Sequence, residues 1–217
     1  MGTLKNIYTN ILYGLGILSR RYAFTGPYML DMAISNSCNL NCMGCVYHSH
    51  RADGKYSAQW KSYHMAPEVF YRLIDEAKHL QVREIFLGDS GEPLLHPELF
   101  QFIAYSKKNG FRCTVLTNGT LLNAKKLETF SSLCLDRLII SIWDQDQTRY
   151  GMLRPGYEGL YSNLIETLHY YKQYKQKIFS HIRLLFVLTK HNAGALEEMC
   201  RLAEAYAISD IRFYLFE

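Results

Sequence analysis

Three cysteines stand within eight residues, Cys38-Asn-Leu-Asn-Cys42-Met-Gly-Cys45. Thiolates are soft donors, and three at such close spacing suit an iron–sulfur cluster or a zinc ion. The run continues to His48, so C-x3-C-x2-C-x2-H could close a tetrahedral zinc site. The other expectation is a four-iron cluster held by three thiolates, which leaves one iron open to a small molecule. Polar Asn39 and Asn41 between the thiols argue against three buried, unligated side chains. Cys113, Cys134 and Cys200 lie singly among apolar neighbours. A disulfide scaffold spreads its cysteines more evenly, so a metal site in a reducing, cytoplasmic setting is expected.

Further along the chain, polar turns follow apolar runs. Gly88-Asp89-Ser90-Gly91-Glu92-Pro93-Leu94-Leu95-His96-Pro97 combines a glycine that lets backbone approach a ligand with a carboxylate suited to an ammonium group. Its Gly-Asp-Ser-Gly stretch also occurs around protease nucleophiles. However, no glycine stands two residues past Ser90, as a nucleophile elbow requires, and the surrounding chain is not all-β. Thr117-Asn118-Gly119-Thr120 has the chemistry of a turn, with or without a ligand. Ser141 lies within the uncharged run Leu138–Trp143 and carries a hydroxyl, which a core position must satisfy or a ligand can use. Asn192 is placed either to contact a ligand or to cap a helix.

These turns need a scaffold, and the hydrophobic period alternates to supply one. Strand-like runs occur at 28–35, 83–87, 111–116, 138–143, 182–189 and 211–216. Between them lie helical stripes: Val69, Phe70, Leu73, Ile74, Ala77 and Leu80 after Pro67, and Leu99, Phe102 and Ile103 after Pro97 with Gly110 as the stop. Others are Leu127 and Phe130 from about Asn123, then Leu160, Leu164, Leu168 and Tyr171, then Leu196, Met199, Leu202 and Tyr206. Six alternations of this kind predict an α/β fold with a parallel sheet and outer helices, barrel-like or doubly wound. In such folds ligands gather at the C-terminal strand ends, where the cysteine loop and the polar turns all fall.

The chain of 217 residues carries 24 basic and 20 acidic side chains, with no polybasic block to suggest nucleic acid. Hydrophobic residues make up 48%, which excludes a disordered chain. Residues 1–27 are expected to form a helical extension. Ile7, Ile11, Leu15 and Leu18 share one stripe, which predicts an amphipathic helix packed on the domain, with membrane-surface contact as the alternative. The apolar run Ile11–Leu18 is too short to span a bilayer.

The cysteine loop after the first strand of a βα-repeat chain resembles that of the radical S-adenosylmethionine (SAM) superfamily, and the resemblance covers about residues 28–217. Gly91 and Glu92 match the family's Gly-Gly-Glu-Pro segment, with Ser90 where its first glycine is usual. Thr117-Asn118-Gly119 resembles the family's Thr-Asn-Gly. Ser141-Ile142-Trp143-Asp144 matches its Ser-Ile-Asp-Gly in part, with Trp143 at the usual aspartate position. The resemblance implies a partial (β/α)6 TIM-like barrel and a [4Fe-4S] cluster on Cys38, Cys42 and Cys45. It also implies SAM contacts from Gly91, Glu92, Asn118, Ser141 and Asn192. The implied chemistry is reductive cleavage of SAM to methionine and a 5′-deoxyadenosyl radical that abstracts hydrogen from a substrate. A one-electron donor such as flavodoxin or ferredoxin would be a partner, and a further partner or second copy would cap the open barrel. By the same analogy a peptide or protein is the favoured substrate, with the loop 47–65 shaping its site. A zinc-bearing interaction domain and an incomplete, inactive fragment are the competing readings.

Overall fold

Short runs rich in Ile, Leu, Val and Phe become strands because each can bury one face under an amphipathic helix. The computed structural model describes residues 2–144, 146, 148, 151, 160–174 and 181–215. Its strands are β1 (Met29–Met32), β2 (Glu84–Leu87), β3 (Arg112–Thr117), β4 (Arg137–Ile142), β5 (Ile182–Leu188) and β6 (Asp210–Leu215). They form one sheet in sequence order, and every adjacent pair is parallel. The helices are α1 (Gly2–Ser19), α2 (Ala58–Lys61), α3 (Pro67–His79), α4 (Leu99–Lys108), α5 (Ala124–Ser132), α6 (Leu160–Tyr174) and α7 (Leu196–Ala205). Each step from one strand to its parallel neighbour passes through a helix, as the βα alternation predicts. The sheet is open, with β1 and β6 at its edges.

Strand register sorts the side chains into two layers. Leu87, Val115, Leu138 and Ile182 stand in one cross-strand row, and Ile142, Phe186 and Phe213 in another. All of these except Phe213 share one core with Phe70 and Ile74 of α3, Phe102 of α4, Phe130 of α5, Leu168 of α6 and Met199 of α7; Phe213, on the edge strand, stacks on Phe186 and stays exposed. Phe70 and Phe102 stack with centroids 3.9 Å apart. The opposite face is more polar. At its N-terminal end Thr114 donates to Glu84 over 2.7 Å, and the Arg137 guanidinium lies 3.7 Å from the same carboxylate. Arg183 Nε donates to Asp210 Oδ1 over 2.8 Å.

Local signals act where the sequence places them. Pro67 opens α3, where its missing N–H costs nothing. Gly110 follows α4 with φ +85°, the left-handed stop that glycine adopts freely. Asn123 caps α5 by accepting from Lys126 N. Two boundaries differ from expectation. β1 ends at Met32 because the chain beyond leaves β2 and pairs with a returning loop, through Met65 N to Ile34 O and Asn36 N to Tyr63 O. Pro97 lies before α4, since a 3-10 turn at Pro93–Leu95 uses the preceding residues. Leu80, expected on the buried stripe of α3, is exposed because the helix ends at His79 and Leu80 is its C-cap. Of the other expected landmarks, the Leu160 side chain and Phe216 lie outside the described residues.

The N-terminal stretch is helical, yet the expectation that its apolar stripe packs on the domain is corrected. Tyr13 Oη donates to Gly26 O over 3.1 Å, so the face bearing Tyr13 meets the domain. Ile7, Ile11, Leu15 and Leu18 are exposed. Gly26 fixes the approach: a Cβ there would lie 1.7 Å from Leu80 O.

Candidate active site

The cysteine loop leaves β1 and covers the C-terminal end of the sheet. Cys42 packs against Trp143 and Val187, just past β4 and near the end of β5. Gly91 is where the loop is anchored. A Cβ there would lie 2.3 Å from Ser35 O and 2.5 Å from Ser37 O, so only glycine permits the two backbones to cross. The close approach that glycine allows is thus made by the chain's own loop. Glu92 N donates to Ser37 O over 2.8 Å on the other side of the crossing. Ser90, at the position of the family's first glycine, is accommodated because its Oγ donates to Asn36 Oδ1 over 2.6 Å.

Glu92 is buried, and its carboxylate faces the protein. Oε1 accepts from Thr117 Oγ1 at 2.6 Å and from Leu94 N at 3.0 Å, and Oε2 accepts from Asn118 N at 2.7 Å. The residue expected to meet an ammonium group therefore joins the β2 turn to the end of β3. Asn118 passes the link on. Its Nδ2 donates to Asn39 Oδ1 over 3.0 Å and points toward Cys38 Sγ at 3.9 Å, while Asn39 Nδ2 donates to Thr120 Oγ1 over 3.0 Å. Sequence reading did not single out Asn39 and Thr120 as partners. Asn39 stands beside a cysteine and Thr120 beside a turn, but nothing in their spacing announces that they meet.

The remaining expected contacts divide. Ser141 is half-buried on β4 and shares the inner face with Leu185 of β5. Asn192 is almost wholly buried, and its amide is engaged at every position. Oδ1 accepts from Thr189 N and Oγ1, and Nδ2 donates to Val187 O and Trp143 O. The side chain thereby joins the ends of β4 and β5. It does not cap the following 3-10 turn.

The thiols sit among donors. The backbone N–H groups of Tyr47 and His48 point at Cys45 Sγ, at 3.4 and 3.3 Å. Hydrogen bonds to sulfur stabilise thiolates and tune iron–sulfur clusters. Burial pushes the Cys38 thiol up to about 12; a backbone N–H from Leu40 opposes this, while Glu92, Cys42 and Cys45 add to it. A thiol of that kind is neutral when bare, and coordination by a metal deprotonates it outright. Asn41 Oδ1, within the loop, is buried without a hydrogen-bond partner, an acceptor left for a donor that the protein does not provide.

The donor set fits a cluster. The loop offers three thiols and no carboxylate from Cys38 to His48. Its imidazole is directed elsewhere, since His48 Nε2 lies 3.0 Å from Ser90 O. A zinc ion would need a fourth donor beside the three thiols, and His48, which the spacing offers for it, faces Ser90 O.

The loop 47–65 is folded rather than open. Tyr56 stacks on Trp60 with centroids 4.3 Å apart, and Tyr47 stacks on Trp60 at 5.5 Å. Asp31, on the inner face of β1, was not anticipated as part of this edge. Its carboxyl is held above the usual range by burial and by nearby Asp89.

Residues 32–203 match the family model of the radical SAM superfamily. Among curated proteins, the chain is similar to the tungsten-containing aldehyde ferredoxin oxidoreductase cofactor-modifying protein of Pyrococcus furiosus. Identity is 28% over 178 residues, covering 79% of this chain and 47% of that protein. It is also similar to the mycofactocin maturase MftC of Mycobacterium ulcerans, at 23% identity over 85% of this chain and 46% of the relative. The chain thus spans about half the length of the curated relatives it matches. Among solved structures, Streptococcus suis SuiB bound to S-adenosylmethionine superposes with a TM-score of 0.70 at 17% identity, over 89% of this chain and 41% of SuiB. SuiB is also described bound to its precursor peptide SuiA. The family match spans all the turns that build the site, and the chain belongs to the radical SAM superfamily, a family of enzymes.

Proposed function

We propose that Cys38, Cys42 and Cys45 hold a [4Fe-4S] cluster with one iron left for SAM, and that the chain generates a radical for chemistry on a peptide or protein. The observation that carries this reading is the donor arrangement at the strand ends. Three thiols share one loop, two backbone N–H groups address Cys45, and His48 is turned to Ser90. When bound, the cluster supplies the single electron that cleaves SAM to methionine and the hydrogen-abstracting 5′-deoxyadenosyl group.

The chain's own residues supply position and exclusion of water. The backbone around Gly91 holds the cysteine loop at a fixed height over the sheet. Ser141 offers a hydroxyl from the inner face to the polar end of SAM. Glu92, Asn118 and Asn192 act as positioning residues that keep the ends of four strands, β2 to β5, in register. The stacked Tyr47, Tyr56 and Trp60 cover one side. A hollow of about 190 Å³ beside Cys45, lined by exposed Met43 and Val46 with Arg51 and Lys55, suits an acidic one-electron donor of the flavodoxin or ferredoxin kind. The peptide assignment rests on the precursor peptide bound by SuiB and on the maturase among the relatives. A partner or second copy would close the open edge of the barrel.

The test is anaerobic reconstitution with iron and sulfide, followed by dithionite and SAM. Visible iron–sulfur charge-transfer absorbance and 5′-deoxyadenosine are the expected results. Stoichiometric zinc without iron in anaerobically purified protein would overturn the reading.

A further inference from the structure

The apolar side of α1 faces away from the domain. Successive residues turn by about 100° along a helix, so Ile7, Ile11, Leu15 and Leu18 fall within one narrow arc. Leu18 is 79% exposed and Ile11 is 55% exposed, and flanking Ile17 and Tyr8 are 77% and 63% exposed. The patch continues past the helix through exposed Tyr22 and Phe24. Ordinary amphipathic helices bury such a stripe. Here the less apolar side, with Thr9 and Tyr13, lies toward Lys78, Arg83 and Arg112, at the N-terminal ends of β2 and β3.

Charge decides what the stripe meets. Residues 1–30 contain Lys5, Arg20 and Arg21 and no Asp or Glu. Pairing this helix with a second copy sets cation against cation. A parallel pair opposes like positions, an antiparallel pair brings Lys5 toward Arg20 and Arg21, and no carboxylate in the segment relieves either. An anionic lipid surface satisfies the apolar stripe and the cations together. Tyr8 and Tyr22 have the amphipathic rings that favour the headgroup level. A hollow of about 590 Å³ has Leu12, Ile17, Tyr22 and Phe24 in its lining together with Arg20 and Arg21, which pairs room for an acyl segment with guanidinium groups suited to phosphate. Among the described residues no helix is long and apolar enough to cross a membrane.

We propose that α1 and the turn after it attach the protein to the surface of a membrane rich in anionic lipid, with the helix lying in the interface. α1 sits at the N-terminal strand ends, so attachment leaves the cysteine loop at the opposite end open to substrate. Vesicle flotation of the whole chain tests this, using phosphatidylcholine alone and phosphatidylcholine mixed with phosphatidylglycerol. The expected result is flotation with the mixed vesicles at least about tenfold stronger than with phosphatidylcholine, and release by salt. Leu15→Glu with Leu18→Glu should abolish flotation. Arg20→Glu with Arg21→Glu should weaken it by roughly tenfold or more, at about fivefold per cation. Unchanged circular dichroism guards against misfolding, and Leu15→Ser with Leu18→Ser provides a milder pair. Failure to float with either vesicle, or equal flotation with both, overturns the proposal. So does a lipid-free dimer, seen by sedimentation velocity, that Leu15→Glu with Leu18→Glu dissolves.

Discussion

At the C-terminal ends of the strands, Ser90, Glu92, Asn118 and Asn192 bond to groups on loops. At the N-terminal ends, Glu84 of β2 pairs with Arg137 of β4 across β3, and Arg183 of β5 pairs with Asp210 of the neighbouring β6. The residue types are similar, but the consequences are not. The lower groups cancel one another's charge inside a frame already fixed by the sheet, so they have no loop to orient. Ser90, Glu92 and Asn118 connect the turn after β2, the turn after β3 and the cysteine loop into one net, and Asn192 ties the ends of β4 and β5 beside it. A change in the net is therefore expected to reach the thiols. Polar burial in this chain is a positioning device at one end and local neutralisation at the other.

The contrast is testable by graded disruption. Removal of a thiol, as in Cys38→Ala, Cys42→Ala or Cys45→Ala, is expected to reduce iron–sulfur absorbance and 5′-deoxyadenosine formation to background. Circular dichroism should stay unchanged, because none of the three lies in a strand or helix. Gly91→Ala comes next. Its Cβ meets two backbone carbonyls, so a loss of about 1–3 kcal/mol in chemical denaturation is expected, together with poor cluster loading. Gly110→Ala is its control: a Cβ there meets nothing within 4 Å, so strain at positive φ should cost about 1–2 kcal/mol without affecting loading. Glu92→Gln keeps the shape but weakens three hydrogen bonds to a charged acceptor, for about 1.5–3 kcal/mol, and should raise the KM for SAM more than it lowers stability-corrected loading.

The smallest effect belongs to the lower end. Asp210→Asn should cost under about 1 kcal/mol at neutral pH and leave 5′-deoxyadenosine formation untouched. The hydrogen bond from Arg183 holds the Asp210 carboxyl below its ordinary value of 3.8. Unfolded chains therefore bind that proton first, and the stability it contributes is full above 3.8 and lost as pH falls through the lower folded value. Thermal melts taken from about pH 5 down to about pH 2, across and below the ordinary carboxylate value, should show a shallower acid slope for Asp210→Asn. An equal loss of cluster loading in Asp210→Asn and Glu92→Gln would erase the distinction between the two ends.

Much of this architecture was legible in advance, because period and spacing are local properties. Six apolar runs alternating with helical stripes define the parallel sheet, and Cys38, Cys42 and Cys45 announce themselves by type and distance. What escaped is what distant segments do to one another. Glu92 reads as a carboxylate for a cation, and its position is silent on Thr117 and Asn118, which donate to its two oxygens from the end of another strand. Asn192 reads as a cap until its amide is drawn back to Trp143 and Val187. The stripe on α1 was visible, but its direction was not, because a single bond from Tyr13 to Gly26 and a close backbone approach at Leu80 decide which side meets the domain. Periodicity fixes that a helix has two faces and is silent on which one tertiary contact selects.

The chain has two tryptophans, and both border the thiol loop: Trp143 touches Cys42, and Trp60 stacks on the ring of Tyr47 two residues beyond Cys45. Intrinsic emission from this protein is therefore a local optical gauge rather than an average over the molecule. Quenching by an iron chromophore, recovery on its loss, and shifts as a substrate displaces water can all be followed without attaching a dye.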